Sequence, residues 1–478
     1  MNKQQPWTAG RIIYGALMSL LLLGYLAVIA TYCDPTTTGK TYYFPGFVWL
    51  LRVITGVMAI YLGKLWKDKG FWFLAVFLLL KLVRVMAEGG QNVFNETVSD
   101  ALLTGFWVFS ACYGMARVLD RKQMKSLLNI FAVIWTLGMI VYSCLGIYAA
   151  WTGGYIPTIG EGAAWYMPWQ RVFLVYYPTV AGSVLSFGVL LAICGVVAAK
   201  QKAVRILFLL SAIPMLIALC LTDSRCAQVT VSAGIATMTG FFVLRALRER
   251  ARRKEKSSGP AWVTAFAVTG VVFAVFVLLC MNTITVFNKV RADGLLIPRA
   301  LAEGSAAKTV VSNRGFTGDN VLTNRPIIWK ATIEVLMENP RLLLWGTSIL
   351  NPMTLVNASK TMTLFANHCH CMPIMILLEN GIPGILLTGA FLVRAAAASF
   401  RLILKADKKR DVLPVAIAIS ILTGELVECF TWLRAGSCPT LPFFFVVMGI
   451  IMATGQKQDP ESVMEVQHIP VSYAAWQA

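Results

Sequence analysis

The chain has 478 residues, 57% of them apolar and only 14% charged, with a mean hydropathy of +0.68. An average soluble domain is roughly 45–50% apolar and 25% charged, so a soluble enzyme, a disordered chain and a disulfide scaffold are excluded. The net charge of +19 suggests nucleic acid as a partner, but the basic residues fall in short clusters between long apolar runs, as in a polytopic membrane protein.

Crossing a bilayer takes about 17–25 apolar residues. Twelve such stretches lie near residues 12–32, 46–66, 71–87, 101–119, 127–150, 174–199, 205–222, 228–247, 261–286, 382–400, 412–430 and 437–455. The first is too long for a cleaved signal peptide and reads as a membrane anchor. The expected fold is all-α, with about twelve transmembrane helices and one long extracytoplasmic loop between spans nine and ten.

Lys and Arg set the orientation. With the N-terminus inside, the inner loops and helix ends hold 26 of the 42, among them the run from Arg245 to Lys256, while short outer loops hold four: Lys40, Arg171, Arg225 and Arg434. Three more, Arg52, Lys81 and Arg84, lie within spans, and nine sit in the long outer loop, which the positive-inside rule does not count. Both termini are therefore expected in the cytoplasm. The expected division is spans one to nine (1–286), the outer loop (287–371), a short or re-entrant helix with spans ten to twelve (372–455), and a tail (456–478).

Within the loop, Asn324-Arg325-Pro326 opens a predicted helix, since Asn caps and Pro fits the first turn. Ile327, Ile328, Ala331, Val335 and Leu336 form its apolar stripe, expected against the membrane surface, and Asn339-Pro340 ends it. A second apolar stretch, 372–379, is cut from span ten by Gly381-Ile382-Pro383-Gly384. Such a break needs protein or a cavity to satisfy the freed backbone.

Ionisable residues in or at the end of a span are costly and so are functional candidates. Arg225, in the turn Thr222-Asp223-Ser224-Arg225, is either a phosphate clamp or a cation snorkelling to headgroups or paired with Asp223. Arg325 is a solvated loop charge or, at a helix N-terminus that gains nothing from a cation, a partner for an anion. Asn367-His368-Cys369-His370-Cys371 holds two of the three histidines. In an extended chain the histidines face one way and the cysteines the other, so these four do not close one zinc tetrahedron. No metal is expected there. A general base fits better, with a structural histidine as the plain alternative. Lys81 and Arg84 share one helix face in span three, where Glu88 offers Arg84 an ordinary partner. Glu425 and Glu428, at the outer end of span eleven, read equally as counter-ions for an Arg or as acid/base residues. The eleven cysteines, spread singly, read as small core residues.

There is no P-loop, dinucleotide fingerprint, GxSxG or HExxH. An enzyme working outside without nucleotide needs a substrate that already carries an activated leaving group, which a lipid-linked sugar diphosphate has.

The stretch HCHCMPIMILLENGIPG resembles the signature of the O-antigen ligase/polymerase superfamily, with His370, Glu379 nine residues later, and the break Gly381 to Gly384. LTDSRCA resembles the family's Ser-Arg turn, at Ser224 and Arg225. NRPIIW resembles the Arg-x-x-x-Trp start of its outer-loop helix, at Arg325 and Trp329. The order, and the long loop between spans nine and ten, are also those of the family. Two departures stand out: Cys371 follows the signature His where Asn is usual, and only Gly346 survives of the Pro-x-x-Gly-x-Gly-like turn after the helix.

The resemblance implies a bacterial inner-membrane enzyme that moves a glycan from an undecaprenyl-diphosphate donor to an acceptor hydroxyl, with inversion and without metal or cofactor. Arg225, Arg325 and His370 would be catalytic. Lys81, Arg84, Ser224, His368 and Glu379 would bind substrate. The partners would be the lipid-linked donor, a glycan, lipid or envelope acceptor, and membrane lipids, with no nucleic acid. A transporter or flippase for lipid-linked or anionic saccharides is the alternative, since twelve spans with both ends inside is also a carrier layout; carriers, however, place their sites near the midplane and often carry internal repeats, and no repeat is seen here.

Overall fold

The computed structural model describes residues 9–31, 46–87, 96–151, 178–253, 259–292, 325–347, 352–362, 365–366, 368–405, 409–426, 428 and 440–455. Every long element among them is a helix. In chain order these are α1 (Ala9–Thr31), α2 (Gly46–Leu62), α3 (Lys69–Ala87), α4 (Glu96–Trp107), α5 (Tyr113–Val118), α6 (Arg121–Trp151), α7 (Pro178–Ala198), α8 (Lys202–Leu221), α9 (Arg225–Arg253) and α10 (Gly259–Ala292). After the loop come α11 (Arg325–Glu338), α12 (Pro340–Trp345), α13 (Thr354–Asn357), α14 (Met372–Lys405), α15 (Leu413–Glu425) and α16 (Leu441–Gly455).

Eight helical segments are long and apolar enough to cross a membrane, and four shorter apolar helices, Ala9–Gly24, Phe47–Leu62, Leu413–Glu425 and Leu441–Gly455, stand at the other four predicted stretches. The protein is a multi-pass, all-helical membrane protein among its described residues, eight of whose helical segments reach the length and apolarity of a crossing. The eight described cysteines are thiols that form no disulfide with one another.

Aromatic rings fill the centre. Phe443 stacks on Phe131 at 4.1 Å and on Phe187 at 5.3 Å, with Trp135 edge-on to both Phe187 and Phe443. Without a hydrophobic force between helices in lipid, small residues let backbones approach closely. A Cβ on Gly449 of α16 would stand 2.0 Å from the Tyr113 carbonyl oxygen of α5.

The same rule fixes the antiparallel pair α9 and α15. Ser420 Oγ donates to the Thr230 carbonyl at 2.5 Å, Cys226 Sγ donates to that of Gly424 at 3.4 Å, and a Cβ on Gly424 would lie 2.2 Å from Thr230 Oγ1. The start of α9, at Arg225, thus meets the end of α15, at Glu425.

Residues 372–379 form the first of two helical stretches in α14, which meet across a kink at the non-helical Gly381 (φ 60°, ψ −164°), with Pro383 just beyond it. A Cβ on Gly381 would come within 2.5 Å of the Leu344 carbonyl oxygen, because α12 packs into the bend. The freed carbonyls find partners. Leu378 O accepts from Thr347 N at 2.6 Å and from Thr347 Oγ1 at 3.0 Å. Glu379 O has no helical donor, since the residue four positions on is Pro383; it accepts from Arg84 Nη1 at 2.9 Å.

Candidate functional site

Arg225 opens α9 and is buried, at 6% exposure. The preceding turn is held locally: Thr222 Oγ1 donates to Leu219 O at 2.7 Å and accepts from Ser224 N at 3.2 Å, while Asp223 takes a left-handed φ of 47°, a conformation Asp tolerates better than most residues. Ser224 stands at the N-cap, its Oγ accepting from Ala227 N at 3.5 Å. It is buried against Gly182, where a Cβ would come within 2.8 Å of Ser224 Cβ. Arg225 is therefore enclosed by protein, not stretched out to headgroups.

Across the site, α11 carries Arg325 and Trp329 one turn apart on one face. Trp329 Nε1 donates to the Cys369 carbonyl at 2.7 Å. Cys369 is fully buried, its sulfur 3.6 Å from Thr332 Oγ1 and 3.7 Å from Met353 Sδ. The apolar stripe of α11 is not spent on a membrane surface. Ile328, Ala331 and Leu336 pack instead with Met353, Val356, Met375 and Leu378 in a small core of their own. This core anchors the segment before α14, so the cysteine points in and both histidines point out. The alternation expected for an extended chain holds, with one departure: His370 adopts φ 50°, which among non-glycine residues His tolerates comparatively well.

Both imidazoles face Glu428, three residues beyond the end of α15. His370 Nδ1 lies 2.9 Å from Glu428 Oε1 and 3.0 Å from Oε2, and His368 Nδ1 lies 3.3 Å from Oε1. Arg325 Nη2 donates to Oε2 at 3.4 Å. The His368 and His370 ring centres are 3.8 Å apart. The imidazoles are partly exposed, at 22% and 29% of their side chains, while the carboxylate is fully buried. Burial alone pushes the Glu428 carboxyl up; the hydrogen bond from His370, then the charges of His370, His368 and Arg325, outweigh it and bring it down to about 2. A carboxylate there fixes the proton of His370 on Nδ1 and leaves the Nε2 lone pair for chemistry.

Arg325, His368 and His370 are thus brought together with Glu428, which the sequence marks only as an undecided carboxylate at a span end. Arg225 begins the helix whose next residue, Cys226, bonds to the Gly424 carbonyl at the end of α15, four residues before Glu428.

Lys81, Arg84 and Glu379 form a second cluster. Lys81 Nζ donates to Glu379 Oε2 at 3.0 Å, with both side chains more than nine-tenths buried, and Arg84 holds the Glu379 carbonyl as above. A Cβ on Gly346 (φ 77°) would stand 2.4 Å from the Glu379 carbonyl carbon and 2.6 Å from Arg84 Nη1, so glycine is required there. Glu88, Asn367 and Arg434 lie outside the described residues.

No curated protein matches the chain. Residues 210–389, the stretch that supplies Arg225, Arg325 and both histidines, match the family model described as O-antigen ligase, so the chain carries a domain of the O-antigen ligase/polymerase superfamily.

Proposed function

We propose that this protein transfers a glycan from an undecaprenyl-diphosphate donor to an acceptor hydroxyl at the extracytoplasmic face of the bacterial inner membrane, with inversion and without a metal. The single observation that carries this reading is the chain Arg325–Glu428–His370, which sets a guanidinium and an oriented imidazole side by side within a domain of the O-antigen ligase superfamily.

His370 Nε2 takes the proton of the acceptor hydroxyl as its oxygen bonds to the anomeric carbon. The bond from that carbon to the diphosphate breaks, and the lipid diphosphate leaves with the electron pair. Arg225 and Arg325 hold it and stabilise its growing charge. Stabilisation of this kind usually contributes most to such catalysis, and it gains strength away from bulk water. Glu428 orients the base. His368 lines the same rim. Ser224 acts through the turn that presents Arg225. The contacts of Lys81, Arg84 and Glu379 favour a role in holding the bend of α14 beside the lipid phosphates. Twelve crossings with both termini in the cytoplasm complete the topology, which follows from the distribution of Lys and Arg.

The carrier alternative loses ground because the cluster sits at helix ends: Arg225 and Arg325 are first residues of helices, and His370 precedes α14 by two. Purified protein in lipid nanodiscs, given an undecaprenyl-diphosphate oligosaccharide and an acceptor glycan, tests the reading. Formation of a glycan–acceptor product with inverted linkage and release of the lipid diphosphate is expected. Translocation of an intact donor across a vesicle membrane, with no product, would establish the carrier instead.

A further inference from the structure

Three potential metal ligands converge at the rim of this site. The ligating atoms of His368, His370 and Glu428 all lie within 4.8 Å of one another. The two imidazole-to-carboxylate separations, 2.9 and 3.3 Å, are close to the edge of a zinc tetrahedron, roughly 3.3 Å for bonds of about 2.0–2.1 Å.

The proton arrangement sharpens the point. His368 Nδ1 accepts the backbone N–H of His370 at 3.2 Å, so in this neutral form it carries a lone pair and no proton. Nδ1 and Glu428 Oε1 are 3.3 Å apart, and a cation between them takes the lone pair in place of that N–H while it binds the carboxylate. Oε2 is meanwhile turned to Arg325, which leaves Oε1 as the metal-facing oxygen. The partly exposed imidazoles give an ion a way in.

We propose that His368, His370 and Glu428 form an inhibitory site for zinc or a similar first-row divalent ion. Two imidazoles and one carboxylate suit zinc and its neighbours, whereas magnesium prefers an all-oxygen shell. Binding at His370 Nδ1 uses the lone pair of that nitrogen, so the neutral ring's single proton moves from Nδ1 to Nε2 and the ring no longer accepts one from a hydroxyl. The ion also draws Glu428 away from Arg325. Zinc is here an inhibitor, not a cofactor. The effect on transfer rests on the function proposed above; the binding does not.

The experiment uses the full-length protein in nanodiscs, stripped with a chelator, titrated with Zn²⁺ against a chromophoric competitor and separately with Co²⁺ followed by its visible spectrum. One equivalent is expected to bind. Glu428→Gln and His368→Asn should each weaken it by at least about 100-fold, more than the roughly 10–100-fold that an outer partner of a metal ligand contributes. His368 sits on the rim, so that variant keeps the test open if Glu428→Gln fails to fold. Zn²⁺ should slow transfer, a chelator should restore it, and Mg²⁺ should do neither. No uptake by the wild type, or equal uptake by both variants, overturns the site, whatever the transfer assay reads. Uptake that leaves transfer untouched overturns the inhibition. Specific uptake by a protein that transfers nothing supports the site and removes the catalytic reading around it.

Discussion

His370 and Glu428, 58 positions apart, meet with Nδ1 2.9 and 3.0 Å from the two carboxylate oxygens, and the same carboxylate receives Arg325. One buried acid thereby sets the direction of an imidazole and the place of a guanidinium.

Removing that acid's charge should cost rate more than binding. Glu428→Gln is expected to lower kcat by roughly 10²–10⁴-fold, the range of a positioned general base, while KM for the donor changes much less. Steady-state kinetics in nanodiscs would check this, and a variant with full kcat would free His370 of its proposed orienter.

The acid's stability contribution has a defined pH window. The folded carboxyl titrates near 2, below its usual value of 4.5. The contribution is therefore fully present above about pH 4.5 and is lost as the pH falls from there through 2. The gap in melting temperature between wild type and Glu428→Gln should narrow across that window. A gap unchanged by acidification would show that Glu428 is not held ionised by its neighbours.

Arg325 is expected to act as a planar fork and not only as a charge. Arg325→Ala should lower kcat/KM for the diphosphate donor by roughly 10²–10³-fold, as for loss of one donor to a developing anion. Arg325→Lys should recover only part of this. Equal rates for Lys and Arg would reduce the residue to a point charge.

The pair Lys81 and Glu379 should behave as a buried ion pair. Lys81→Met alone leaves a carboxylate without its ammonium and is expected to destabilise by about 3–5 kcal/mol. The double variant Lys81→Met/Glu379→Leu should regain most of that. Additive losses in a thermal unfolding cycle would show that the two do not share their energy.

Much of this was legible in the chain. The apolar stretches fall on the helices, because a span is a run of composition. Arg225, Arg325 and His370 stood out through short local motifs. Glu428 did not, since its importance comes from contacts 58 and 103 positions away, and a carboxylate at a span end looks the same whether it holds an imidazole or faces water. The role of Arg84 was hidden for a similar reason: its acceptor is a carbonyl set free by Pro383, and neither periodicity nor charge marks a carbonyl. The stripe of α11 was readable as apolar, but only packing reveals that it seats the His–Cys segment and not lipid.

The central claim, that an imidazole and two guanidinium groups act together on a diphosphate-linked glycan, is tested most directly by single-turnover transfer with His370→Gln, with donor affinity measured on the same nanodiscs. Transfer should fall by at least about 100-fold while the donor still binds within about threefold of wild type, an energy difference of under 1 kcal/mol. Transfer at the wild-type rate would contradict the account.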